Sequence, residues 1–394
     1  MRAIRILHDL FGTCRAYIDL RLLHTLFSSI EALTRCRKLT IAGIGRSLDR
    51  DCIVKNKIKA VDRLFGHIKV QKSIPFFYQS IINKLIYPKS KPIIIVDWSG
   101  LSYCGKYHFM RAAVPVGGRA LPILEMAFEE KDYGSQKAHK LFLTQLRAIM
   151  PKDCQPIIVT DAGFRNPWFK LVLSFQWNYI GRVRHITQCR KKDASEWMAI
   201  KSLYGQASYM PRYLGPYVLT KSEVLETHFY LYRERKKKRV KKNLRGKKIQ
   251  CSVSLKHAKR ESEPWLLATS LNSILLDAQK IIIIYKKRMQ VEEGIRDLKN
   301  ERSGLSLRQN RSTHIGRLNV ALLIGAITMF LLWILGTAVR NRNLHYQYQA
   351  NTVRNRNVLS NFIIGWQALE EKRFEFSKIE IEQSITTLKE ILYV

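Results

Sequence analysis

The stretch KPIIIVDWSGL, residues 91–101, is a short apolar run that ends in an acid. Ile93 to Val96 is too short a run for a helix and shows no polar alternation. It reads as a strand buried on both faces, with Asp97 at its exit. A second stretch of the same make, QPIIVTD at 155–161, ends in Asp161. A carboxylate at the edge of a desolvated strand needs a partner or a metal. One such acid is ordinarily a turn or cap residue. Two of them, after IIIV and IIVT, point to a shared site.

The surrounding pattern places these strands in a larger scheme. YHFMRAAVPV, GGRA and LPILEMAFEE (107–130) read as a hairpin with a Gly-Gly turn. SQKAHKLFLTQLRAIM (135–150) carries helical spacing at Ala138, Leu141, Phe142, Leu146 and Ile149. GFRNPWFKLVLSF (163–175) is helical after Pro167, and WNYIGRVRH (177–185) is a further strand. The order strand-strand-strand-helix-strand-helix-strand, with carboxylates leaving two buried strands, predicts an α/β fold with a ribonuclease-H-like mixed sheet. Residues 1–88 read as helical, and 186–276 as a β-rich insertion that interrupts the core. Residues 277–340 return to the core, and 341–394 form a helical C-terminal region with a possible role in dimerisation.

Composition narrows the partner. The 394 residues include 68 Lys+Arg against 31 Asp+Glu, a net charge of +37. With 46% hydrophobic residues the chain builds a sizeable core, so it is not a disordered polycation. Such a surplus calls for a polyanion, and duplex DNA carries dense charge along its whole length. An anionic membrane surface is the competing reading. The seven cysteines show no paired spacing and read as reduced thiols. The first twenty residues read as an amphipathic helix, not an export signal, which suits the cytoplasm and its nucleoid.

VALLIGAITMFLLWILGTAV, residues 320–339, is uncharged and about as long as a bilayer is thick. There is no second span, and basic residues flank both ends. A helix buried on all sides looks the same in sequence, and that is the expectation here. Within 39–67, two apolar-periodic stretches separated by a polar break resemble a helix-turn-helix. Arg46, Lys55, Lys57, Lys59 and Arg63 are its candidate DNA contacts, although an ordinary basic bundle has the same texture. Ten of the fourteen residues from Arg235 to Lys248 are basic, among them Lys237, Lys238 and Arg239. That run reads as a solvated loop that orders on phosphate.

The third acid comes from IIIIYKKRMQVEEGIRDLKN (281–300). In one continuous helix Arg288, Glu292 and Lys299 fall about −60°, −20° and −40° from Tyr285, while Glu293 lies about 100° from Glu292. Glu292 therefore shares a polar stripe with an aromatic hydroxyl and two cations. A salt-bridged helix face is the plainer reading of Arg288 and Glu292.

Tyr285-x2-Arg288-x3-Glu292-x6-Lys299 resembles the Y-R-E-K signature of the insertion-sequence-four family of DDE transposases. IVDWS and IVTDAGF resemble the contexts of that family's first two catalytic acids. DRLFG, QKAH, EPWLLATSL, YKKRMQVEE and QANTVRNRNVLS extend the likeness over nearly the whole chain. The resemblance implies cut-and-paste transposition. A strand is nicked at each element end, its 3′-hydroxyl makes a hairpin with the opposite strand, water reopens the hairpin, and the same hydroxyl joins target DNA. It further implies two Mg²⁺ ions, with Mn²⁺ able to substitute, held by Asp97, Asp161 and Glu292. Tyr285, Arg288 and Lys299 would grip phosphates near the hairpin. Trp265 would stack on a flipped base, and Arg182 would approach the DNA. The implied partners are double-stranded DNA at inverted-repeat ends and targets, a second copy in a synaptic homodimer, and host DNA-bending proteins, with no membrane. A non-catalytic repressor descended from such an enzyme and a basic membrane-anchored protein remain as alternatives.

Overall fold

The computed structural model describes residues 3–101, 105–184, 187–235, 263–353, 356–371 and 375–392. Helices α1 (Ala3–Phe11), α2 (Leu20–Cys36), α3 (Ile41–Arg46), α4 (Val54–Gly66) and α5 (Ile68–Leu85) come first. Strands β1 (Ile93–Gly100), β2 (Tyr107–Pro115) and β3 (Ala120–Glu129) follow, then helix α6 (Gln136–Ile149). Next come β4 (Ile157–Thr160), α7 (Asn166–Ser174), β5 (Asn178–Val183), β6 (Gln188–Lys191) and β7 (Met198–Ala199). Strands β8 (Arg212–Leu219), β9 (Leu225–Tyr232) and β10 (Trp265–Thr269) precede helix α8 (Ala278–Lys286). The remaining helices are α9 (Met289–Lys299), α10 (Ile315–Asn341), α11 (Asn361–Glu371) and α12 (Lys378–Leu392). The elements form two compact units, Met1–Pro156 with Arg288–Val394, and Ile157–Lys287.

In the first unit β1, β2 and β3 pair antiparallel. The β2–β3 turn is the expected one: Val116 N–H donates to the Arg119 carbonyl at 2.8 Å. Gly117 and Gly118 hold φ of +80° and +87°, which side-chain-bearing residues avoid. Strand β1 runs on past the acid to Gly100, so Asp97 sits within the strand opposite Arg111, not at its end. Its last buried residue before the acid is Val96, so the apolar run marked where burial stops and not where pairing stops. On α6 the buried face is Ala138, His139, Phe142, Leu143, Leu146 and Ile149, and Leu141 is exposed. The α3–α4 pair matches the two helices expected in 39–67, separated at residues 47–53.

The apolar run 320–339 lies in α10, and all of it is buried. Helices α2, α4, α5, α11 and α12 and strand β3 pack around it. Among the described residues it is one helix long and apolar enough to cross a membrane, and 94% of that window is buried inside the protein. This is the expected core helix. Its two threonines are satisfied internally, Thr328 donating to the Ile324 carbonyl at 2.7 Å and Thr337 to that of Trp333 at 2.8 Å. On α12 the apolar residues Ile381, Leu388 and Leu392 are buried and pack into the core, while Ile379 is exposed.

Where α10 meets α11, Gly336 lies so close to the Asn361 carbonyl that a Cβ would enter van der Waals overlap with it. Backbone cannot yield as a side-chain tip can. Gly336→Ala is expected to destabilise the protein by at least about 1–3 kcal/mol. Urea titration checks this, as a lower midpoint at unchanged slope.

In the second unit the strands run in the order β4-β5-β10-β9-β8-β6-β7. The β4–β5 pair is parallel and the other pairs are antiparallel, which makes the sheet mixed. Pro167 stands in the first turn of α7, where a missing N–H costs nothing. Phe169 on α7 stacks on Tyr179 of β5 at 4.5 Å, and the Tyr179 hydroxyl donates to Thr227 Oγ1 at 2.8 Å. The order β1-β2-β3-α6-β4-α7-β5 is the one expected from sequence, and the mixed α/β arrangement is consistent with a ribonuclease-H-like core.

The expected single helix over 277–300 is two. The α8 helix stops at Lys286 and α9 starts at Met289, with a turn at 287–288 between them. Lys287 and Arg288 keep right-handed helical dihedrals, but the regular helical hydrogen bonding is interrupted there. It coincides with the division between the two compact units.

Candidate active site

Asp97 of β1 is half-buried, and one of its carboxylate oxygens accepts from the Trp98 N–H at 2.9 Å. It heads a row of cross-strand partners, Asp97 beside Arg111 and Arg111 beside Glu125. Successive partners in an antiparallel sheet share a face. Arg111 and Glu125 are fully buried and form an ion pair at 2.7 Å. Burial still holds the Glu125 carboxyl above the usual range, with Arg111 offsetting only part of that rise.

Lys299, at the end of α9, is buried. Its ammonium donates to Ser99 Oγ at 2.6 Å and to the Gly100 carbonyl, both on β1. Burial pushes its pKa down to about 8; the cations Arg111 and Arg308 add to the fall, and Asp97 and Glu125 oppose it. Lys299 thus closes the α9 end onto the strand that carries Asp97. Trp98, next to that acid, donates its Nε1–H to His139 Nε2 at 3.2 Å. Burial holds the His139 pKa down to about 4, which favours the neutral ring that accepts this bond. Neither Arg111 nor His139 was singled out by sequence reasoning. QKAH marked the position of His139, but nothing local to it shows the Trp98 bond.

The acids of α9 take different parts. Glu293 lies 3.5 Å from Arg119 and also pairs with Arg296, and Asp297 accepts from Arg119 Nε at 2.8 Å. Glu292 is exposed and pairs with Arg288 at 2.9 Å. Two of the three acids on this helix therefore fasten it to the β2–β3 turn. Arg288 and Glu292 do face each other as the stripe argument required. Tyr285 belongs to α8, on the far side of the break, and the angular argument does not carry across.

In the second unit Asp161 follows β4 directly and accepts from the Gly163 N–H at 2.8 Å, a turn held by its own side chain. Arg182 on β5 donates to the Glu263 and Pro264 carbonyls at 3.0 and 3.2 Å, so it fixes the backbone that leads into β10. Arg184 supports it through an ion pair with Glu263 at 3.1 Å. Trp265, the first residue of β10, is half-buried. Its ring meets Tyr285 edge-on at 5.1 Å and Tyr232 at 5.6 Å. It is neither sealed in the core nor free.

Of the candidate helix-turn-helix contacts, Arg46, Lys55, Lys59 and Arg63 are exposed and Lys57 is half-buried. Lys237, Lys238 and Arg239 lie outside the described residues.

Three carboxylates are a hard-oxygen donor set of the kind that Mg²⁺ and its relatives require, and in that respect Asp97, Asp161 and Glu292 fit. Among the described residues no group of three His, Cys, Asp or Glu stands close enough together to hold an ion. Glu292 is engaged by Arg288 instead.

A family model described as the transposase DDE domain matches residues 88–329, more than half of the chain. That span contains all three acids. No curated protein matches the chain.

Proposed function

Because the chain belongs to the transposase DDE domain family, whose members bind DNA and use divalent metal ions, we propose that it is a cut-and-paste transposase of the insertion-sequence-four branch. Asp97, Asp161 and Glu292 are its proposed catalytic acids. The observation that carries this reading is the division of labour on α9, where Arg119 takes Glu293 and Asp297 and leaves Glu292 exposed beside Arg288. In this reading residues 89–185 and 277–340 form the catalytic core, 186–276 the insertion and 1–88 a DNA-binding region.

The acids would hold two divalent ions, Mg²⁺ first, with Mn²⁺ able to substitute; such ions stabilise both the attacking and the leaving oxygen in phosphoryl transfer. The chain's own residues do the rest. Arg288 releases Glu292 and turns its planar guanidinium to a phosphate, a partner it matches as well as a carboxylate. Lys299 keeps the end of α9 against β1 and presents a positive charge beside Asp97 below pH of about 8. Tyr285 adds a hydroxyl to the grip. Arg182 holds the entry to β10 and so sets the position of Trp265. The basic run that includes Lys237, Lys238 and Arg239 would follow the DNA backbone. The full assembly would be a homodimer joining two inverted-repeat ends, aided by host bending proteins and working on the nucleoid.

Hairpin formation gives the test. A duplex cannot fold its terminal bond onto the opposite strand unless a base leaves the stack. Extrusion costs a few kcal/mol, and an aromatic platform returns about 1–3 kcal/mol. Trp265→Ala is expected to fold normally and to make the first nick at a near-normal rate. Hairpin formation should slow by about 5- to 150-fold. Strand-resolved gels on end-labelled element DNA, beside a melting curve, check this. Loss of every step together with a lowered melting point would make Trp265 a packing residue. Nicking without any hairpin in the unmodified protein would sink the hairpin route.

A further inference from the structure

A cleft of about 630 Å³ opens between the start of α3 and the segment that leads into α10. Among the described residues Lys38, Arg46, Arg311, His314 and Arg317 line it, and no Asp or Glu does. Four formal cations thus face one space with no acid among them. Arg46 and Arg311 are exposed, and their side chains make no ion pair or hydrogen bond to another described residue. Arg317 is held from the α4 side by Asp62.

The walls are joined, so the charges cannot simply move apart. Leu39 N–H donates to the Leu305 carbonyl at 2.8 Å. The buried Asn310 side chain donates to the Leu39 carbonyl at 3.0 Å and accepts from the Ser312 N–H at 2.9 Å. One amide therefore fixes the loop carrying Arg311 against the loop carrying Lys38. Lys38, Arg46 and Arg311, held near one another with no counter-charge in the lining, repel one another, and an anion seated between them relieves that repulsion.

The lining also says which anion. Among the described residues it contains no Phe, Tyr or Trp, so they offer a base nothing to stack on. It offers guanidinium groups, whose forked donors match phosphate. We propose that this cleft is a phosphodiester-binding site that seats the backbone of a DNA duplex, with Arg46 and Arg311 gripping the phosphates. The proposal rests on the transposase reading above. It extends the DNA surface from the α3–α4 pair onto the 309–317 segment, which the helix-turn-helix argument did not include.

The test uses the full chain and a labelled random-sequence duplex, with affinity measured over a range of NaCl concentrations. Each phosphate contact contributes about 0.9 to the slope of log affinity against log salt. Arg46→Gln with Arg311→Gln should lower the slope by about 1.8 and weaken binding about thirtyfold at ~0.15 M salt. Arg46→Lys with Arg311→Lys keeps both charges and should keep the slope. An unchanged slope in the Gln pair, at an unchanged melting point, would overturn the proposal. Displacement of the duplex by inorganic phosphate at matched ionic strength, in the parent but not in the Gln pair, would also overturn it, by showing a free-anion pocket. Failure of the underlying reading shows elsewhere: the parent protein itself would bind no duplex, or would bind it without any slope.

Discussion

Asp97→Ala, Asp161→Ala and Glu292→Ala are each expected to abolish DNA cleavage, by at least about a thousandfold, and to leave duplex binding nearly intact. The size follows from what the acids do. Charge stabilisation of a phosphoryl-transfer transition state supplies several kcal/mol, and removing a ligand forfeits it at every step. Binding should survive, because the acids would repel phosphate when no ion stands between them. Glu293→Ala is the internal control. It removes one partner of Arg119, and Asp297 still holds that guanidinium at 2.8 Å. Cleavage should therefore persist with a small loss of stability. If Glu293→Ala kills cleavage and Glu292→Ala does not, the assignment of the third acid is wrong. Gel-resolved cleavage and a duplex-binding titration on the same preparations check both halves.

Arg111→Met has the largest expected effect on stability. It strands the Glu125 carboxylate in a site where both side chains are fully buried. Breaking a buried pair from one side costs about 3–5 kcal/mol, because the remaining charge is desolvated and keeps only the weaker support of Tyr78 and Lys299. The pH dependence has a definite sign. Glu125 already titrates above its ordinary value, through burial, and loss of Arg111 raises it further. An acid whose folded pKa is raised contributes stability below its unfolded pKa and loses it as pH rises through the folded one. The Arg111→Met defect should therefore be mild in acid and grow towards neutral pH. The double variant Arg111→Met with Glu125→Leu should recover most of the loss, since an apolar pair of similar volume needs no charge balance. Urea titrations at several pH values separate these cases. A pH-independent defect that the double variant fails to repair would mean that Arg111 acts by shape alone.

What was legible in the sequence was what is local. The runs IIIV before Asp97 and IIVT before Asp161 announced buried strands, and Gly117–Gly118 announced the turn between β2 and β3. The core order from β1 to β5 followed from these and from helical spacing. Length and hydropathy could not separate a core helix from a membrane span at 320–339, because both are apolar all round. The separation came from α2, α5, α11 and their neighbours covering it. The break at 287–288 carries no Gly or Pro, so nothing in YKKRMQ signals it. Lys299 reads as a cation on a polar stripe that grips phosphate. Its burial is set by the end of β1, two hundred residues earlier. Arg182 was read as a DNA contact from resemblance, and the carbonyls that it holds lie about eighty residues on. Partners at such separations leave no mark on local pattern.

The central claim is that Asp97, Asp161 and Glu292 hold the same metal ions when DNA is bound. Iron-directed cleavage measures this directly. Fe²⁺ placed in the DNA-bound protein in place of Mg²⁺, with ascorbate and peroxide, cuts the polypeptide beside the ion. The account predicts cuts near residues 97, 161 and 292 together, all lost in Asp97→Ala. Cuts confined to other segments, or cuts near residue 97 that survive the loss of both Asp161 and Glu292, would contradict it.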